Sequence, residues 1–179
     1  MKEVFNTASK VIVTCNRRLS PYLQEEVVAL GFEIKRAFNT GVELYATVNE
    51  CIKLNLNLRT ASQVLYEVGA FRAADPKELY EQLVKIEWEK VIPFDGYFTV
   101  TSTVHNEHIL TPLFANVKVK DAIVDRIKEV KGVRPDSGPD LSKAVVHLHW
   151  MEERAEIFLD TSGERPAKHA YRKQPGKAP

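Results

Sequence analysis

The chain has 179 residues, enough for one ordinary domain or two small ones with a buried core. Apolar residues make up 44% of it and charged residues 27%, a balance that excludes a disordered tail protein or a membrane bundle. Basic and acidic residues nearly cancel, 25 against 24, so the strong overall basicity of many nucleic-acid-binding domains is absent and such binding would have to rest on local clustering.

No apolar run approaches the roughly 20 residues that span a bilayer. The opening residues, Met1 to Lys10, lack the apolar centre of a signal peptide, so no membrane partner and a cytoplasmic location are expected. Cys15 and Cys51 are the only cysteines, and each sits among apolar neighbours. They read as small buried hydrophobes rather than as a disulfide or a metal pair.

In chain order, Lys10–Cys15 is a β-rich run. Ser20 is an expected N-cap with Pro21 in the first helical position, and Leu23, Val27 and Leu30 give the helical face that Gly31 closes. Two alternating runs follow, Phe32–Phe38 and Gly41–Thr47, joined through Asn39-Thr40-Gly41 as a hairpin. Asn49–Leu58 reads as a short helix burying Cys51, Leu54 and Leu58, and Ser62–Phe71 as a further strand. Strand, helix, strand, strand, helix, strand is the ferredoxin-like order.

A second unit starts at Asp75, where Asp-Pro-Lys-Glu predicts a capped helix with Leu79, Leu83 and Ile86 inward. Pro93-Phe94-Asp95-Gly96 is a turn, and Tyr97–Val104 alternates as a strand. Between Pro112 and Pro135, Val119, Ala122, Ile123, Ile127 and Val130 recur at helical spacing, and Gly132 ends the helix. Asp121, Asp125 and Glu129 form an acidic row on one flank of it; Lys120, Lys128 and Lys131 lie on another side, with Lys118 before and Arg134 after. Such a helix could dock on a phosphate backbone, or could be an ordinary amphipathic helix with a solvated face. Val145–Trp150 and Arg154–Leu159 form a hairpin that turns Val146, Leu148 and Trp150 one way and His147 and His149 the other. From Arg165 onward the chain is rich in Pro and Lys, and only Arg165, Lys168, Arg172, Lys173 and Lys177 carry charge.

Catalytic chemistry has no foothold in these residues. His147 and His149 share a strand face but lack further ligands at metal-binding spacing, and read as surface histidines. The serines stand outside any nucleophile elbow, and the glycines are scattered singly, with no phosphate-binding loop.

Several stretches resemble one family in order. Asn57-Leu58-Arg59-Thr60-Ala61-Ser62-Gln63-Val64-Leu65, Val119-Lys120-Asp121-Ala122-Ile123-Val124-Asp125-Arg126, Arg134-Pro135, Pro139-Asp140-Leu141 and Leu159-Asp160-Thr161-Ser162-Gly163-Glu164 resemble segments of bacterial 23S ribosomal RNA guanine-N2 methyltransferases. Tyr171-Arg172 and Ala178-Pro179 continue the likeness. The first helix is entered through Leu19-Ser20-Pro21-Tyr22 rather than the family's Gly-Leu-Glu-like segment. Ala167-Lys168-His169-Ala170-Tyr171-Arg172 departs from its histidine-lysine-arginine-glycine-tyrosine-arginine.

The resemblance implies an α+β chain: a ferredoxin-like βαββαβ domain over residues 1–72, a THUMP-type α/β RNA-binding domain over 73–164, and a basic linker over 165–179. In the family that linker leads to an S-adenosylmethionine-dependent methyltransferase domain with an Asn/Asp-Pro-Pro-Tyr motif. This sequence contains no Pro-Pro, so it resembles the RNA-recognition half of such an enzyme and is expected to need no cofactor and to methylate nothing alone. The implied function is to position structured RNA, 23S ribosomal RNA above all, for the covalently linked catalytic domain. Candidate RNA contacts are Arg59, Lys118, Lys120, Lys131, Arg134, Lys168 and Arg172. Arg59 could instead pin the domain boundary through a carboxylate, and Arg126 beside the apolar stripe reads as structural. A protein–protein adaptor without RNA contact is the alternative, favoured by the near-neutral charge as the acid-free tail favours RNA.

Overall fold

The computed structural model describes residues 6–92, 96–107 and 112–163. Its first half runs β1 (Ser9–Thr14), α1 (Ser20–Ala29), β2 (Arg36–Phe38), β3 (Gly41–Ala46), α2 (Val48–Asn57) and β4 (Gln63–Arg72). The second half runs α3 (Pro76–Leu83), the single turn α4 (Trp88–Val91), β5 (Phe98–His105), α5 (Pro112–Lys131), β6 (Ala144–Met151) and β7 (Arg154–Asp160). The strands form one seven-stranded sheet in the order β2-β3-β1-β4-β7-β6-β5. The first four strands have the ferredoxin-like arrangement expected from the residue pattern, and β5 and β6 pair in parallel across the α5 crossover.

β7, last in the described chain, is inserted antiparallel between β4 and β6 and joins the halves. Paired residues of neighbouring strands point to the same side of a sheet. Leu44 pairs with Val11, Val11 with Tyr66, Tyr66 with Leu159, Leu159 with Val146, and Val146 with Val100. The two cores therefore lie on one side of the sheet, covered by the helices of both halves. Val11, Leu23, Val42, Leu44, Leu54 and Val64 anchor the first core, and Leu79, Trp88, Phe98, Ile123, Leu148 and Trp150 the second. Val68 packs against both.

Local chemistry sets the element ends. Thr47 and Glu50 cap α2 reciprocally, the Thr47 hydroxyl accepting from the Glu50 amide at 3.1 Å and the Glu50 carboxylate from the Thr47 amide at 3.1 Å. At α3, Asp75 accepts from the Glu78 amide at 2.8 Å as expected, but Glu78 reaches back to the Ala74 amide, at 2.7 Å. Gly41 permits a close strand approach, since a Cβ there would meet the Val13 carbonyl oxygen at 2.1 Å.

Four sequence readings change. Ser20 does not cap α1: a 3₁₀ turn at Arg17–Leu19 runs directly into the helix, and the Ser20 hydroxyl donates to the Phe38 carbonyl at 2.7 Å. The alternation from Phe32 yields a strand only over Arg36–Phe38, because that edge strand has β3 alone to pair with. Val130 leaves the apolar stripe and is 51% exposed, as α5 outruns the sheet at its last turn. Ala115 and Val124 are buried in addition to Val119, Ala122, Ile123 and Ile127. His147 and His149 are half-buried rather than surface residues; burial holds both below the ordinary imidazole range, against the opposing pull of Asp160 on His147 and of Glu156 on His149.

Candidate nucleic-acid interface

One edge of the sheet gathers loops from both halves. β1 ends there at Thr14, β3 starts at Gly41, β4 at Gln63, β6 at Ala144 and β5 at Phe98, and β7 ends at Asp160. Hydrogen bonds tie the loops to it: Ser62 N donates to Thr14 O at 2.7 Å, Thr161 N to Val64 O at 2.9 Å and Phe98 N to Asp136 O at 3.1 Å.

Of the sequence-nominated cations, Arg59 in the loop before β4, Lys131 at the end of α5 and Arg134 in the loop that follows lie at this edge, all exposed. Arg59 and β5 are separated by three strand spacings, about 14 Å across the sheet. The main chain at Arg59 is held by Glu26 of α1, whose carboxylate accepts from the Arg59 amide at 2.8 Å, the Thr60 amide at 3.1 Å and the Thr60 hydroxyl at 2.5 Å. Burial alone would raise Glu26, but these donors hold it below the usual carboxylate range. It is thus the backbone of Arg59, not its guanidinium, that is pinned, and within the first half.

Lys118 does not join this group, whereas Lys120 borders it beside the start of β5 and the Ser137 loop. At 1.5 Å per residue, Lys120 lies about 16 Å back along α5 from Lys131, and Lys118 about 20 Å. Lys118 lies over the Phe114 ring, 5.8 Å from its centroid, on the flank that carries Asp121, Asp125 and Glu129. Asp125 in turn accepts the Tyr80 hydroxyl of α3, which pushes that phenol up to about 12. Lys120 takes the other flank and borders a cleft of about 230 Å³ with Thr99, Leu113, Asn116, Val117 and Ser137. Lys168 and Arg172 lie outside the described residues. Arg126 is structural as expected: it forks onto Glu89 of α4.

Sequence reasoning missed Arg17 and Arg18, exposed in the 3₁₀ turn that leaves β1 at this same edge. The signal was an adjacent basic doublet between a strand and a helix start. Arg17, Arg18, Arg59, Lys131 and Arg134 make no ion pair with a described carboxylate, while Asp136 and Asp140 are exposed beside them.

The side of the sheet away from the helices carries a different cluster. Lys10 Nζ lies 2.8 Å from Glu156, 3.5 Å from Glu43 and 4.0 Å from Glu67, drawing three carboxylates from β3, β4 and β7 around one ammonium. Burial and the hydrogen bond with Glu156 push Glu67 up to about 8, whereas Glu156, despite its burial, is held down by Glu67 and Lys10. Among the described residues no three histidines, cysteines or carboxylates are arranged to hold a metal ion. Cys15 and Cys51 are buried free thiols.

Among the described residues no helix is long and apolar enough to cross a membrane. Residues 10–65 match the RlmL ferredoxin-like domain model and residues 73–160 the THUMP domain model. The ribosomal RNA large subunit methyltransferase K/L of Pseudomonas savastanoi pv. phaseolicola is 33% identical over 173 residues, covering 95% of this chain and 23% of that protein. The namesake from Stutzerimonas stutzeri is 34% identical over 173 residues, with the same 95% and 23% coverage. The chain thus spans about a quarter of the length of the curated relatives it matches. Two solved structures share the fold: a predicted N6-adenine-specific DNA methylase from Listeria monocytogenes, with TM-score 0.73 at 23% identity over 86% of this chain and 40% of that one, and TrmN from Thermus thermophilus, with TM-score 0.64 at 17% identity over 96% and 50%. With the βαββαβ half followed by the α3–β7 half, and each matched by its own family model, the chain belongs to the RlmL ferredoxin-like and THUMP domain families, one domain following the other.

Proposed function

We propose that this chain is the RNA-recognition part of a ribosomal RNA methyltransferase, acting in the cytoplasm. The observation that carries the reading is the pair of domain matches in order, together with relatives of the same arrangement named for large-subunit ribosomal RNA methylation. The geometry supports it. A sheet edge that brings together Arg17, Arg18, Arg59, Lys131 and Arg134 offers several phosphate contacts on a body whose net charge is only +1. Folded RNA is held largely through backbone and shape, for which arginine and lysine are the fitting donors.

In this reading the RNA is 23S ribosomal RNA, and the chain presents it to a guanine-N2 methyltransferase domain attached beyond the described residues. That domain supplies the S-adenosylmethionine site and the chemistry. The 179-residue chain by itself grips and orients.

The test is fluorescence anisotropy of the 179-residue chain on a labelled, structured 23S fragment over a series of salt concentrations. Log affinity falls linearly with log salt, and each phosphate contact removed by alanine at Arg17, Arg18, Lys131 or Arg134 lowers the slope by roughly 0.7–0.9. Undetectable binding at low salt, or a slope indifferent to all four substitutions, overturns the reading. A protein adaptor would instead keep its partner in a nuclease-treated pull-down.

A further inference from the structure

β7 ends at Asp160, yet the next residues remain held. The Thr161 amide donates to the Val64 carbonyl at 2.9 Å, and the Thr161 hydroxyl donates to the same oxygen at 2.8 Å. From the other side Asn55 of α2 donates its amide to the Thr161 carbonyl at 3.0 Å and to the Thr161 hydroxyl oxygen at 2.9 Å. Asp160 bends the chain onward, accepting from the Ser162 amide at 2.9 Å and the Ser162 hydroxyl at 2.5 Å, while Gln63 donates to its second oxygen at 3.2 Å.

Asn55 is only 5% exposed. A buried amide in a helix interior carries a desolvation cost and a weak helix preference, and is retained where it has a specific partner. Here that partner is a residue from the far end of the chain, which β7 brings to the first half. Cys51, one turn before Asn55 on α2, is fully buried. Gly163 follows at once, exposed and at φ +55°.

We propose that Asn55 and Thr161 form a latch by which the ferredoxin-like half fixes the direction in which the chain leaves the sheet at Gly163. The first half then does more than contribute cations: it is the mount that aims the following segment relative to the RNA held at the same edge. Asn55 and Thr161 are positioning residues in this scheme. The aiming role rests on the RNA-recognition reading, while the latch itself does not.

The experiment uses the 179-residue chain in four forms: unmodified, Asn55→Ala, Thr161→Val and Thr161→Ser. Amide hydrogen exchange and residual dipolar couplings are recorded at Thr161, Ser162 and Gly163, with RNA anisotropy alongside. Asn55→Ala and Thr161→Val speed exchange at Thr161 by about tenfold and collapse the couplings at Gly163, while β1–β6 amides stay protected. Thr161→Ser, which keeps the hydroxyl, retains the original couplings, and RNA affinity stays within about twofold in all four. Couplings at Gly163 that are already averaged in the unmodified chain, or exchange at Thr161 indifferent to Asn55→Ala, overturn the latch. RNA affinity that falls in parallel with the loss of order overturns the aiming role. Failure of the unmodified chain to bind RNA overturns the RNA reading and leaves the exchange and coupling results to judge the latch.

Discussion

Arg126 on α5 and Glu89 on α4 meet as a two-pronged pair, Nε to Oε2 at 3.1 Å and Nη2 to Oε1 at 3.0 Å. The Glu89 side chain is only 10% exposed, and the Arg126 hydrogen bond, ahead of burial, sets its carboxyl below the ordinary range. The planar guanidinium fits a carboxylate in a way an ammonium does not. Arg126→Lys should therefore lower the melting temperature by several degrees and Arg126→Met by more, read by calorimetry, with RNA affinity unchanged. An equal melting temperature for Lys and Arg would show that the fork contributes nothing.

Acidity should stabilise the fold through Glu67. Its folded value of about 8 stands above the ordinary 4.5, so the folded chain holds a proton there that the unfolded chain has released. Stability is then greatest at the acid end of that window and falls as pH rises from about 4.5 to about 8. Glu156, Lys10 and Arg154 are the charged groups that act on it, and Glu43 shares the same Lys10 ammonium. Glu67→Gln keeps a neutral, hydrogen-bonding group of the same shape and should flatten this dependence. Thermal unfolding of both forms at half-unit steps checks it, and parallel curves refute it.

Trp150 contributes by packing and by one hydrogen bond. It is fully buried, and its indole N–H donates to the Ala73 carbonyl at 3.0 Å. Trp150→Phe should cost about 1–3 kcal/mol, chiefly through an unpaired buried carbonyl. Trp150→Ala should cost roughly 3–5 kcal/mol through the cavity it leaves. Urea unfolding gives both numbers.

Lys118 should be expendable for RNA. It shares its flank with Asp121, Asp125 and Glu129, and its ammonium lies over Phe114. Lys118→Ala should leave the salt slope of RNA binding unchanged, whereas Lys131→Ala paired with Arg134→Ala should lower it by roughly 1.4–1.8. A reversed ranking would move the RNA from the sheet edge to the body of α5.

The parts legible in the residues were those that rest on local periodicity. Val42, Leu44 and Ala46 alternate because β3 buries one side, and Val119, Ala122, Ile123 and Ile127 recur because α5 buries one stripe. Element order followed from these runs, and the ferredoxin-like topology followed from element order. What long-range pairing decides was not legible. Nothing in Arg154–Asp160 signals that this strand enters between β4 and β6, and without that pairing the shared edge of Arg17, Arg59 and Arg134 cannot be seen. The residues alone show acidic and basic positions on α5, but only the helical turn shows that Lys118 shares the flank of Asp121, Asp125 and Glu129 and lies over Phe114. Asn55 looked like an ordinary helix residue because its partner, Thr161, is supplied by the far end of the chain.

The insertion of β7 also governs how the protein can be made. A nascent chain that has released β1–β4 carries β4 as a bare edge, and one that has released β5 and β6 carries a second. Both remain open to mispairing until residues 154–160 emerge, so the protein is most vulnerable to aggregation during synthesis rather than after it. Once β7 is seated, neither half can melt without stripping hydrogen bonds from the other, and heat should unfold the two in a single transition.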